Sequence, residues 1–227
     1  MEKALVLFSG GVDSTTCLGM AVSRYGKDHV VALSISYGQK HTREIQCSRQ
    51  ITAHYQVEHL YLDLAKIFEY SNCSLLSHSK QDIPMESYAE QIDKTDGKPV
   101  STYVPFRNGL FLSSAASIAL SKECSVIYYG AHSDDAAGSA YPDCSDAFNN
   151  AINDAIYIGS GNQLRVEAPF VNMTKADIVK IGLELDVPYE LTWSCYEGKD
   201  RPCGTCGTCI DRAKAFAQNG VKDPALV

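Results

Sequence analysis

Five short runs rich in branched aliphatic residues alternate with helix-length segments, and that alternation leaves few architectures open. The runs are "ALVLF" (4–8), "VVALSIS" (30–36), "EHLYLDL" (58–64), "SVIYYGA" (125–131) and "LRVEAPF" (164–170). Helical segments fall between and after them, at about 14–25, 40–55, 106–121, 143–158 and 174–185. Strands alternating with helices predict βαβ units and a mainly parallel sheet, with a ligand crevice at the carboxyl ends of the strands. Thr174 is a candidate N-cap before "KADIVKIGLEL", with Asp177 three residues on as a weaker form of the capping box. Pro105 and Pro188 punctuate the pattern. The stretch 70–104 fits less well: it is polar and has no clear period, and so long a connection is usually functional or mobile. From Trp193 onward the chain holds a cysteine cluster and one short helix, "IDRAKAFAQ". The expected division is an α/β domain over 1–190 and a C-terminal segment over 191–227.

The first strand runs into "LFSGGVDSTTCL" (7–18). Its two glycines allow a tight turn and close backbone approach, and the helix that follows offers free N–H groups and a positive dipole end to an anion. Ser14, Thr15 and Thr16 add neutral donors. A Walker loop carries a lysine that reaches the terminal phosphates; here Asp13 occupies the comparable neighbourhood. An acid among phosphates makes sense where Mg²⁺ sits between them. The loop reads as a pyrophosphate cradle with a metal-organising acid. The plainer alternative is a strand–turn–helix with a capping Ser or Asp.

Charge narrows the partners. A formal net charge of −7 and the lack of a basic run disfavour nucleic acid, whose tight binding requires Lys and Arg to neutralise phosphates. No apolar stretch is long enough to cross a bilayer, and "KALVLF" after Met1 is too short for a signal-peptide core, so a soluble cytoplasmic protein is expected. Four of the nine cysteines, Cys195, Cys203, Cys206 and Cys209, crowd into fifteen positions. That crowding points to a metal site more than to disulfides. Four thiolates suit a closed tetrahedral Zn²⁺ site, with Gly204 and Gly207 letting the chain curl and Lys199 and Arg201 offsetting charge. C-x2-C-x2-C also occurs in iron–sulfur runs, although the usual Cys-Pro continuation is absent.

"SGGVDS" (9–14) resembles the signature loop of the N-type ATP pyrophosphatase (PP-loop) family. Four further stretches are similar to the 7-cyano-7-deazaguanine synthases within it, almost end to end. They are "SYGQKHTREI" (36–45), "VPFRNGLFLSSAASIAL" (104–120), "GAHSDDAAGSAYPDC" (130–144) and "TWSCYEGKDRPCGTCGTCIDRAKAF" (192–216). The resemblance implies a Rossmann-like, adenine nucleotide alpha hydrolase-like fold with a small zinc-binding segment ligated by four cysteines. It implies a ligase that adenylates 7-carboxy-7-deazaguanine and joins ammonia to it, releasing AMP and diphosphate, in queuosine and archaeosine precursor synthesis for tRNA modification. ATP would lie on Phe8, Ser9, Gly10, Gly11, Val12, Asp13, Ser14, Thr15, Thr16, Cys17 and Leu18, with Mg²⁺. Asp13 and Ser14 join Arg107 and Lys175, the candidate cations for the leaving pyrophosphate, as catalytic candidates. Arg107 and Asn108, in "PFRNG", are substrate candidates. One carboxylate can accept both donors of a guanine-type edge, so Asp135 or Asp143 would suit, with Tyr141 as a stacking face; Asp134 reads as an ordinary loop acid. Cys144 is either a small buried hydrophobe or a site thiol, and His41 is a loosely held contact. Family likeness and ligand type favour Zn²⁺ on Cys195, Cys203, Cys206 and Cys209. It also implies a homodimer. The competing expectation is a tRNA-thiolating PP-loop enzyme with catalytic cysteines or an iron–sulfur cluster.

Overall fold

The structure is a computed structural model that describes residues 2–40, 43–94, 98–197 and 200–226, without the side chains of Tyr88 and Ala89. His41 and Lys199 lie outside the described residues. The strands are β1 (Ala4–Leu7), β2 (Val30–Ser36), β3 (Glu58–Asp63), β4 (Val126–Tyr128) and β5 (Arg165–Glu167). All pair in parallel, in the order β3-β2-β1-β4-β5. The helices are α1 (Val12–Tyr25), α2 (Arg43–Tyr55), α3 (Tyr88–Asp93), α4 (Arg107–Ser121), α5 (Ser133–Ala136), α6 (Asp146–Gly159), α7 (Lys175–Glu184) and α8 (Gly207–Gln218). The expected α/β alternation and parallel sheet are therefore present. β4 and β5 are shorter than their apolar runs, because residues 129–131 and 168–170 leave the sheet to build loops.

β1 is central, pairing Ala4–Leu7 with Val30–Leu33 on one side and Ala4–Val6 with Val126–Tyr128 on the other. Its period of two feeds two cores. Leu5 joins Val31, Leu33 and Ile127 against Leu112, Ala115 and Ala119 of α4. Ala4 and Val6 join Val126 and Tyr128 against Cys17, Leu18 and Ala21 of α1 and Ile178 of α7. A sheet covered on both faces explains why its central strands are continuously apolar rather than alternating.

The aperiodic stretch 70–104 has structure that periodicity could not reveal. Leu76 makes an antiparallel bridge to Gln39. Cys73, Leu75, Leu76, Ile83 and Val104 bury with Tyr37 and Phe68 in a separate core, while α3 starts on a Ser87–Glu90 capping box. Isolated anchors hold this connection, so no repeat appears. The cysteine-rich end packs on the sheet domain through α8: Ala215 and Phe216 bury with Val12, Val179 and Tyr189. Arg212, buried, makes a two-pronged pair with Asp223 at 2.6 and 2.8 Å and donates to the Tyr189 carbonyl at 3.2 Å. Among the described residues no helix is long and apolar enough to cross a membrane.

Candidate active site

The strand order reverses between β1 and β4: the chain leaves edge strand β3 and crosses the sheet to re-enter beside β1. Loops after β1 and β4 therefore part and leave a crevice at the strands' carboxyl ends. Two glycines let the walls close. Gly10 has φ +87°, and a Cβ there would lie 3.0 Å from the Ser48 nitrogen. A Cβ on Gly130, just after β4, would lie 3.1 Å from Asp13. Either side chain would push apart the two walls that have to meet.

The cleft is lined on the β2 side by Leu33, Ser34, Ile35, Glu44, Ile45, Ser48 and Tyr61, and on the β4 side by Arg107, Asn108, Tyr129, Asp135 and Cys144. Phe8, Ser9, Gly11, Asp13, Ser14 and Lys175 lie between. Ser9 and Ser14 face each other, Oγ to Oγ at 3.1 Å, and the Ser9 N–H donates to Ser14 Oγ at 3.2 Å. The first helical bond of α1 runs from Thr15 N–H to Gly11 O at 3.0 Å, so the N–H groups of Val12, Asp13 and Ser14 precede any intrahelical partner. Deeper into α1 the side chains turn away. Thr15 Oγ1 donates to Gly11 O at 2.7 Å and Thr16 Oγ1 to Val12 O at 2.9 Å, with Tyr189 Oη 2.8 Å from Thr16. Val12, Cys17 and Leu18 are buried in the core. The loop's hydroxyls thus divide, two toward the cleft and two holding the helix.

Asp13 and Lys175 meet across the cleft, Oδ2 to Nζ at 2.9 Å. Lys175 is placed by the start of α7, where Thr174 and Asp177 form the expected capping box and the Lys175 N–H donates to Asp134 Oδ2 at 2.8 Å. Burial pushes the Asp13 carboxyl up, but the Lys175 ammonium and then His132 outweigh it and hold the group below its ordinary value. Burial likewise disfavours the Lys175 charge, yet Asp13 and Asp135 keep its pKa above the ordinary range. Both groups stay ionised near neutrality. Asp13 Oδ1 is buried and has no hydrogen-bond partner among the described residues.

Arg107 opens α4 after Phe106, which adopts left-handed φ +53°. Its guanidinium lies over Tyr37 at 5.4 Å and Phe111 at 5.9 Å. Burial pushes the Tyr37 phenol up to about 12, with Arg107 pulling the other way. Asn108 lines the cleft and is tied to the 143–144 turn: its N–H donates to Asp143 Oδ2 at 2.8 Å, and its Nδ2 to Asp143 O at 3.1 Å. Asp143 is therefore buried behind the wall as a cap for α4. Burial raises its carboxyl above the usual value, while the Asn108 N–H and Arg107 partly offset this. Tyr141 is also in the core, its hydroxyl 2.5 Å from Thr102 Oγ1. Of the sequence's substrate candidates, Arg107, Asn108 and Asp135 line the cleft, whereas Tyr141 and Asp143 support it. Cys144 reaches the cleft, but burial, then Asp135 and Asp143, push its thiol well above the ordinary range. That environment favours the neutral thiol over the thiolate.

Cys195, Cys203, Cys206 and Cys209 place their four sulfurs within 4.8 Å of one another. Backbone N–H groups point at the sulfurs: Cys203 N–H at Cys195 Sγ (3.2 Å), and Thr205 and Cys206 N–H at Cys203 Sγ (3.4 and 3.3 Å). Gly204 turns the chain with φ +75°. Donors aimed at sulfur orient thiolate ligands and tune their basicity. The donor set fits a closed metal site.

Several residues of the site go beyond those that the sequence motifs single out. His132 is 2% exposed, with Nε2 3.3 Å from Asp135 Oδ2 and 3.8 Å from Asp13 Oδ2. Tyr37, Trp193, Ser194, Tyr196 and Thr208 line the cleft. His132 stands inside the stretch "GAHSDD", so proximity to two acids was a signal there; the others come from distant segments that only the fold brings together.

The model of a family described as "Queuosine biosynthesis protein QueC" matches residues 3–220. A 7-cyano-7-deazaguanine synthase of Archaeoglobus fulgidus is 44% identical over 225 residues, covering 99% of this chain and 90% of that one. Another so named, from Pseudoalteromonas atlantica, is 39% identical over 224 residues, covering 99% and 98%. Among solved structures, the U34-tRNA thiolase NcsA of Methanococcus maripaludis, with its [4Fe-4S] cluster, shares the fold with a TM-score of 0.50. It is 13% identical and covers 96% of this chain and 66% of that one. With a family match over nearly its whole length and two relatives similar from end to end, the chain belongs to the QueC family of queuosine biosynthesis proteins.

Proposed function

We propose that this chain is a 7-cyano-7-deazaguanine synthase: it joins ammonia to 7-carboxy-7-deazaguanine at the expense of ATP, releasing AMP and diphosphate. The observation that carries the reading is the convergence on one crevice of the glycine loop, the Asp13–Lys175 pair, Arg107 and Asp135. A carboxylate has no adequate leaving group. Attack of its oxygen on the α-phosphorus of ATP forms an acyl adenylate and releases diphosphate. Ammonia then displaces AMP to give the amide, and a second adenylation on the amide oxygen lets AMP leave with two protons lost, giving the nitrile.

The residues take roles that their positions support. The N–H groups at the start of α1, with Ser9 and Ser14, receive the departing diphosphate. Lys175 and Arg107 balance its charge. The β2 side of the crevice accommodates the nucleotide's base, and the Arg107–Asp135 side accommodates the deazaguanine. Asp135 accepts the paired N–H donors of a guanine-type edge, a role for which Asp143 is no longer needed. The unpartnered Asp13 Oδ1 fits a Mg²⁺ ligand; the ion would supply charge neutralisation between phosphates. Four cysteine sulfurs with N–H donors around them fit Zn²⁺, which would fix residues 191–227 on the 1–190 domain. Free ammonia and a homodimer complete the proposal.

The test is direct. Asp13→Asn in otherwise intact, zinc-replete protein should fold normally yet lose adenylation by about two to three orders of magnitude, measured as diphosphate release. Normal AMP formation by that variant would remove the role given to Asp13.

A further inference from the structure

The segment that enters the cysteine cluster also touches the glycine loop. The Trp193 N–H donates to the Gly10 carbonyl at 2.9 Å. Its own carbonyl is so near that a Cβ on Gly11 would lie 3.5 Å away. From the other side, the Trp193 indole N–H donates to the Cys195 carbonyl at 2.8 Å. Ser194, next along, lines the cleft, and its carbonyl accepts from Thr208 Oγ1 at 2.7 Å. The same hydroxyl lies 3.3 Å from Cys206 Sγ. Two of the four cysteines are therefore tied by short hydrogen-bonded links to the backbone at 193–194. That backbone is one hydrogen bond from Gly10. The Trp193 ring is buried with Cys47, Cys195, Cys206 and Cys209, so water does not readily replace the indole's partner.

We infer that Trp193 is a positioning residue that couples metal occupancy of the cysteine cluster to nucleotide binding at the glycine loop, with Thr208 as a second strut. This rests on the reading of that loop as the ATP pyrophosphate cradle. A bound ion fixes Cys195 and Cys206, and with them the anchors of both struts; four unligated thiols leave those anchors able to shift. The shift reaches Gly10, whose left-handed φ of +87° sets the loop. Coupling of two binding sites is reciprocal, so the metal strengthens ATP binding by the same factor as ATP strengthens metal binding. One or two buried hydrogen bonds correspond to a factor of about three to ten.

Protein loaded with one Zn²⁺ per chain is equilibrated with a colorimetric chelator, with and without saturating Mg-ATP, and zinc retention gives the coupling factor. The expected result is a rise in zinc affinity of about threefold to tenfold. Trp193→Phe keeps the backbone N–H and most of the ring packing but lacks the indole donor, and its factor should fall toward one. Thr208→Val, which loses only the hydroxyl, should move the same way. Circular dichroism identifies any variant that does not fold; the wild-type factor tests the coupling itself, and the two variants, which remove different donors, test the struts. ATP binding is checked on the zinc-loaded wild type by equilibrium dialysis. If ATP binds but the wild-type factor is one, the coupling is wrong; if the factor keeps its wild-type value in folded Trp193→Phe, the positioning role given to Trp193 is wrong; in either case the nucleotide site stands. If ATP does not bind at all, the nucleotide-site reading fails and the coupling falls with it.

Discussion

Asp13 and Lys175 are half-buried charges that stabilise each other across the cleft. The Asp13 carboxyl is held below its ordinary value, so its ionised contribution is present above about pH 4 and fades only as pH falls through the lowered folded value. Lys175 is raised, so its contribution is present below about pH 10 and fades as pH rises through the still higher folded value. ATP binding should therefore show no titration from this pair between about pH 5 and 9. In Lys175→Met the largest downward influence on Asp13 is gone while its burial remains, so the carboxyl rises. Diphosphate release should fall at least about a hundredfold and acquire an acid limb that moves toward neutrality; an unchanged pH profile would contradict the pairing. Cys144 makes the opposite case. With its thiol protonated, Cys144→Ala should keep turnover within about tenfold of wild type, measured as AMP formed, whereas a catalytic thiolate would lose several orders of magnitude. Asp13 and Lys175 were legible as residue types in their motifs. Their contact, across 162 positions of chain, was not.

At the scale of elements, α4 shows how a supporting residue can look like a substrate ligand in sequence. "YPDC" reads as a polar turn with an acid to offer, yet the fold turns Asp143 inward to receive the Asn108 N–H and leaves Arg107 and Asn108 facing the cleft. Asp143→Ala should remove the cap at about 1–2 kcal/mol, read from urea unfolding, and should raise KM for the deazaguanine more than it lowers kcat. An unchanged midpoint would show that α4 does not depend on it. The alternation of strands and helices was readable because the central strands are short continuous apolar runs while the helices between them are longer and amphipathic. The connection 70–104 was not, since its buried residues Leu75, Leu76 and Ile83 are single anchors against Tyr37 and Phe68 rather than a repeating face. The hydroxyls of Thr15 and Thr16 show the same limit: spacing identified the loop, but only packing against Tyr189 and α1's own carbonyls decides which hydroxyls face outward.

For the whole molecule, one sheet places two chemistries side by side. The switch between β1 and β4 opens the crevice, and the cysteine-rich end closes one of its walls through Trp193, Ser194 and Tyr196. Removing the metal should therefore do more than loosen a tail. With the zinc proposed above in the four-thiolate site, Cys206→Ser should lower the bound metal and the melting temperature together, by a margin well beyond that of a surface substitution, because a structural zinc held by four thiolates contributes folding energy outright. Full zinc content in that variant would remove Cys206 from the ligand set. The cluster itself was visible from spacing alone; its nearness to the glycine loop was not, because most of the folded chain lies between them in sequence. The nitrile-forming activity is tested by incubating the zinc-replete protein with 7-carboxy-7-deazaguanine, Mg-ATP and ammonium and separating the products by mass. The expected products are the 7-cyano compound together with AMP and diphosphate, with no consumption of ATP beyond background when the deazaguanine is left out. No nitrile, or ADP and phosphate in place of AMP and diphosphate, would contradict that activity.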